Sequence, residues 1–264
     1  MIHVAKDIAR VRNPVLVVTA CAWALLITLP RVAPALSHCT AAGADTMLPS
    51  ASFKMWRAMN SPTSLAAGWA LMLVAMMLPV LISPILHVRV RSFTHRRMRS
   101  ILLFLSGYGA IWMAAGVLLL AVELAIRLIA PEPFLAASCV LLIALVWQFS
   151  PVKQRCLNRC HAHTELAAFG TAADLDALRF GITHGIWCAF SCWAWMLFPM
   201  LFPRGHLPIM ASVTILVLSE RMDHPARPCW QPRGLGRVTR ILIAQALTRL
   251  HAHGLGSNLS AFET

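Results

Sequence analysis

Cys156 and Cys160 stand four residues apart, and so do Cys188 and Cys192, with His184 one further interval upstream of the second pair. On a helix, residues four apart stack on one face, so each pair would present two soft donors to the same neighbour. Thiolates and imidazoles are ligands of zinc(II) and copper(I), and a soft-metal centre is the chemistry these residue types point to. His184 and Cys192 would lie ~12 Å apart along a helix rising ~1.5 Å per residue, too far to share one ion. A four-ligand site would therefore take Cys156 and Cys160 with either His184 and Cys188 or Cys188 and Cys192. His161 and His163 follow the first pair directly.

Soft donors continue with Met72, Met76 and Met77 in one apolar segment and Met196 and Met200 in another. Thioethers favour copper(I) over zinc. The competing reading is packing, because methionine is a flexible apolar filler and cysteine a small buried residue. A Cys-x-x-x-Cys interval is not the Cys-x-x-Cys of redox proteins, which leaves a membrane thiol oxidoreductase as the weaker alternative. His38 and Cys39 fall in a first external loop as a contact point at most, and His87 and His95 in an arginine-rich loop read as solvated.

Elements able to position these donors must be membrane helices. Of 264 residues, 58% are apolar and 12% charged, and the mean hydropathy is +0.68, too few polar side chains to clothe a soluble globule. Six apolar runs follow one another: Pro14–Pro30, Ser64–Ser83, Ile101–Val122, Phe134–Ser150, Ile182–Phe202 and Leu207–Ser219. A span needs about 20 residues, so the first, fourth and sixth are short and need support from the bundle. The reading is all-α: a six-helix transmembrane domain over 1–220, then a basic tail over 221–264.

Charge orients the bundle. The formal net charge is +13, yet the arginines sit between apolar runs rather than on one face, so nucleic acid is not the expected partner. The segment before the first run holds three Lys and Arg, the Pro84–Ser100 loop five, the Pro151–Gly181 loop four and the tail six, 18 of the 23 in all. That bias predicts both termini in the cytoplasm of a bacterial inner membrane, with lipid as the first partner. Lys6, Arg10 and Arg12, an apolar stretch and Ala33-Pro34-Ala35 could mark a cleaved signal peptide. The apolar run exceeds the usual core of about 7 to 15 residues, so an uncleaved anchor is the better reading.

In the tail, Leu235, Val238, Ile241, Leu242 and Leu250 recur near helical spacing among Arg237, Arg240 and Arg249, as an interfacial amphipathic helix would. The second and fifth runs echo each other: Trp69-Ala70, Met72-Leu73, Met76 and Pro79 match Trp193-Ala194, Met196-Leu197, Met200 and Pro203. With three helices between the copies they would run in opposite directions, as two three-helix inverted repeats require. Pro79, Pro84, Pro199, Pro203 and Pro208 would break or kink these helices and free backbone carbonyls.

The six runs contain no Asp, Glu, Lys or Arg, which gives no support to a carboxylate proton relay. No phosphate-binding loop, dinucleotide loop or nucleophile motif occurs, and a non-enzymatic role is expected.

Trp69-Ala70-Leu71-Met72, Ala75-Met76-Met77-Leu78-Pro79, Gly107-Tyr108 with Trp112, Ser150-Pro151-Val152-Lys153 with Cys156 and Cys160, and His184-Gly185 with Cys188, Cys192 and Trp193 occur in this order. Over about Leu65 to Arg221 the chain resembles the bacterial predicted metal-binding integral membrane proteins, a family of unknown function. Ser191 departs from the pattern, where the family often carries a further cysteine. The resemblance implies a helical membrane fold and metal binding, and singles out Cys156, Cys160, His184, Cys188 and Cys192. The expectation is a protein that binds copper or zinc for transport or delivery, with a membrane or periplasmic protein as partner. A non-catalytic assembly factor whose cysteines merely pack is the other expectation.

Overall fold

A computed structural model describes residues 2–32, 62–130, 132–162, 164–167, 169–202 and 206–231. Those residues form helices and no strand: α1 (Ile2–Val32), α2 (Pro62–Met77), a 3-10 turn (Leu78–Leu81), α3 (Ile82–Arg91), α4 (Arg97–Ile129), α5 (Pro133–Phe149), α6 (Pro151–His161), α7 (Gly170–Met200) and α8 (His206–Met222). Ala33–Ala35, His38, Cys39, His163, Pro203 and the amphipathic pattern after Leu235 lie outside the described residues.

The long helices α4 and α7 form the centre, with α5, α6 and α8 packed on α7 and α1 on α2 and α3. Glycines set how close the central pair comes. A Cβ on Gly107 would lie 2.7 Å from the Leu178 carbonyl oxygen, and one on Gly181 would collide with that of Phe104. Such small residues let two backbones touch where lipid supplies no hydrophobic drive between helices.

Proline explains the break in the second run. Pro79 has no N–H to offer the Ala75 carbonyl one turn back, and the indole of Trp23 on α1 donates to that oxygen instead at 3.0 Å. At the other end of the bundle, His206 Nδ1 lies 2.9 Å from the Pro199 carbonyl. The expected release of a carbonyl near a proline is therefore present at Ala75, where a neighbouring helix takes it up, while the Pro199 carbonyl also accepts the Phe202 N–H at 3.3 Å. The two echoing tryptophans have different surroundings: Trp69 donates to the Trp112 carbonyl at 2.9 Å, while Trp193 meets Trp147 edge to face.

Among the described residues three helical stretches are long and apolar enough to cross a membrane: Asp7–Thr28, Thr63–Arg91 and Arg97–Ile129. A fourth is added if Phe134–Phe149 and Pro151–His161, bent by 63°, count as one. The fifth and sixth runs differ from the six-span expectation for readable reasons. The fifth run, within α7, is made less apolar by His184, Trp187, Trp193 and Trp195, and α8 has only 17 residues. Val117 and Leu118 on α4 and Leu142, Ile143 and Val146 on α5 face outward, an apolar surface of the kind that lipid covers.

Candidate functional site

Ser150 and Pro151 build the first half of the site. Ser150 is extended, as a residue before proline prefers, and its Oγ accepts from the Lys153 N–H at 3.2 Å while Pro151 occupies the first helical position. The chain therefore ends α5, turns sharply and starts α6 with its polar face set against α7. Cys156 and Cys160 are buried on that face, and the Arg159 guanidinium lies 5.5 Å from the centre of the Trp187 ring.

The second half is a line along α7. His184, Cys188, Cys192, Met196 and Met200 follow at intervals of four, and all five are buried. Each interval advances the line by ~6 Å. His184 stacks among Phe104, Tyr108 and Phe180, with ring centres 5.9 to 6.1 Å away. Met72 and Met76, on α2, belong to the same buried core as Cys188, Cys192, Met196 and Met200.

Between the halves lies a residue that sequence reasoning left in the basic tail. Arg221, in the last turn of α8, donates from Nη2 to Cys188 Sγ at 3.1 Å and to Ser191 Oγ at 3.2 Å. Its guanidinium also reaches Cys160 and acts electrostatically on Cys156 and Cys192. The Tyr108 hydroxyl sits 3.3 Å from Cys188 Sγ. Ser191, the departure from the family pattern, donates to the Cys188 carbonyl at 2.7 Å and so orients its oxygen toward Arg221. The guanidinium thus meets the thiols of Cys188 and Cys160 and acts at longer range on Cys156 and Cys192, and the four cysteines are unbridged. On α6, burial raises the Cys156 thiol and pushes Cys160 up to about 11, with Arg221 opposing in both cases. Among the described residues no three His, Cys, Asp or Glu side chains converge as ligands of one metal ion.

A buried ion pair adjoins the thiols. Lys153 Nζ lies 2.7 Å from Glu220 Oε1, both side chains almost wholly sealed from solvent. Gln148 links them, donating to Glu220 and accepting from Lys153 and from the Trp195 indole. Lys153 and Arg221 were both counted as loop charge in the topology argument, yet Lys153 is fully buried and Arg221 is part-buried with its Nε sealed. Signals for them existed: Lys153 closes the Ser-Pro-x-Lys start of α6, and Tyr108 is the chain's one tyrosine.

His161 joins α6 to the end of α8, with Nδ1 2.8 Å from the Leu157 carbonyl and Nε2 3.2 Å from that of Arg221. Asn158 grips Ala226 in both directions, at 2.8 and 3.3 Å. The strand of chain leaving α8 is thereby fixed to the helix that carries Cys156 and Cys160.

The class so defined is an all-helical protein with a buried sulfur cluster closed by a cation. The chain belongs to the PpoB2 family, described as copper chaperones, whose model matches residues 66–243. No curated protein and no solved structure matches it.

Proposed function

We propose that this chain is a multi-pass protein of the bacterial inner membrane that takes up copper(I) at the thiols of Cys156, Cys160, Cys188 and Cys192 and delivers it to a membrane or periplasmic protein. The observation that carries this reading is the Cys188 sulfur, fully buried, within 3.1 Å of a guanidinium that also reaches Cys160. The guanidinium opposes the burial that favours the neutral thiol, and so supports the thiolate, the form that binds soft metals.

The donor set fits copper(I). Glu220 is bound to Lys153 and Gln148, and the oxygens that stand beside Cys188 are the neutral hydroxyls of Tyr108 and Ser191 rather than a carboxylate. Methionines 196 and 200 continue the line of α7 away from Cys192, with Met72 and Met76 in the same core. This gives the ion soft neighbours on a route toward the outer end of the bundle. His184 is a ligand candidate one turn from Cys188, and its ring-lined surroundings favour a role in packing. Zinc remains the second candidate ion. Six spans with both termini in the cytoplasm put the thiols at the cytoplasmic mouth between α6 and α7.

Metal analysis of the purified full-length protein tests this. Wild type grown with copper should carry about one equivalent, and the variant with all four cysteines changed to Ser should carry almost none, since thiolate is the ligand being removed. Equal and negligible metal in both would rule the proposal out.

A further inference from the structure

The strongest unassigned feature is the charge of Arg221. Guanidinium does not lose its proton in proteins, and Arg221, part-buried with its Nε sealed, gains from a negative partner. Among the described residues Arg221 has no carboxylate within ion-pair distance, because its neighbour Glu220 is committed to Lys153. Its Nη2 meets the Cys188 sulfur and the Ser191 hydroxyl, its guanidinium reaches Cys160, and its Nε is buried without a hydrogen-bond partner. Lys153 and Glu220 cancel each other, which leaves one positive charge facing the sulfurs.

We infer that Arg221 is a specificity-determining residue: its single fixed charge matches a monovalent soft cation held by the two thiolates of Cys160 and Cys188, and disfavours a divalent ion. This rests on the copper reading above and deepens it. Two thiolates around a monovalent ion keep one net negative charge, and Arg221 cancels it. A divalent ion held by two thiolates is neutral and leaves Arg221 uncompensated. Held by four, it keeps two negative charges, of which Arg221 cancels one. An unbalanced charge in a largely buried site is costly, and the three thiolates that would balance a divalent ion do not converge among the described residues, so the two-thiolate pairing favours the monovalent ion. The pairing also needs no third ligand, in keeping with the lack of any three-ligand convergence among the described residues. Cys156 and Cys192 then flank the pair, and Cys192 Sγ is already engaged with the Cys188 carbonyl at 3.0 Å.

The test uses the full-length protein in detergent and competition titrations against a chromogenic copper(I) chelator and a chromogenic zinc(II) chelator. Arg221→Gln should weaken copper(I) binding by about tenfold or more and leave zinc binding equal or stronger, because a buried counter-charge is removed. Arg221→Lys, which keeps the charge, should stay within about threefold of wild type. A Gln variant with wild-type helicity and elution that binds both ions as before overturns the inference, as does a Lys variant that fails like Gln. If the Gln variant does not fold, sulfur coordination of copper-loaded wild type by X-ray absorption decides: two sulfurs support the pairing, and three or four overturn it. Wild type that takes no copper(I) overturns the copper proposal itself, a result separate from a wild type that binds while Arg221→Gln binds equally well.

Discussion

Arg221 and Cys188 meet at 3.1 Å between Nη2 and Sγ, which ties the last turn of α8 to the middle of α7. The contact joins segments 33 residues apart and closes a sulfur cluster drawn from two further elements, α6 with Cys156 and Cys160 and α4 with Tyr108. The site is therefore a property of the folded bundle rather than of any one motif.

Single cysteine changes should separate the four thiols. Cys160→Ser and Cys188→Ser each remove a sulfur in contact with Arg221 and should abolish stoichiometric copper(I) binding. Cys156→Ser and Cys192→Ser should retain it with affinity lowered less than about tenfold, as expected of flanking rather than ligating groups. Chelator competition on the four purified variants measures the difference.

The buried pair of Lys153 and Glu220 should behave as a unit. Lys153→Met or Glu220→Met alone leaves a sealed charge without its partner and should cost about 3–5 kcal/mol, whereas the two changes together should recover most of the loss. Thermal melts of the detergent-solubilised single and double variants would reveal the non-additivity, and additive losses would mean the pair is not sealed.

Helix contact at Gly181 makes a similarly sharp prediction. A methyl group there collides with the Phe104 carbonyl, while one at Gly109 meets nothing within 4 Å. Gly181→Ala should lower stability by about 1–3 kcal/mol through forced backbone movement, and Gly109→Ala should be neutral or slightly stabilising. Equal melting temperatures for the two variants would contradict the close packing of α4 on α7.

Orientation is open to a direct check. With both termini in the cytoplasm, a fluorescent protein fused after Thr264 should be bright and an alkaline phosphatase fused there inactive, with the reverse pair of results at a fusion in the loop before Pro62. Active phosphatase at the carboxyl end would reverse the orientation.

Much of this was legible in the residues before any coordinates. Runs of apolar residues gave the helices, and the Cys-x-x-x-Cys intervals placed two thiols on one face of α6 and two on α7. Pro79 foretold a freed carbonyl one turn back, at Ala75, which Trp23 occupies. The roles of Arg221, Lys153 and Glu220 were not legible, because a charge at the end of an apolar run looks the same whether it meets water or a buried partner. Only the fold of α6 back onto α7, set by the Ser150-Pro151 turn, distinguishes them. Nor does sequence spacing alone reveal that Tyr108, eighty residues from Cys188, points its hydroxyl at that sulfur.

The central claim is copper(I) held at the thiols beside Arg221. Titrating copper(I) into purified wild type and into the Cys160→Ser, Cys188→Ser double variant, with a competing chelator reporting free copper, tests it most directly. The account predicts one tight site per chain in wild type and none in the double variant. Identical curves for the two proteins, whether both bind or neither does, would contradict it.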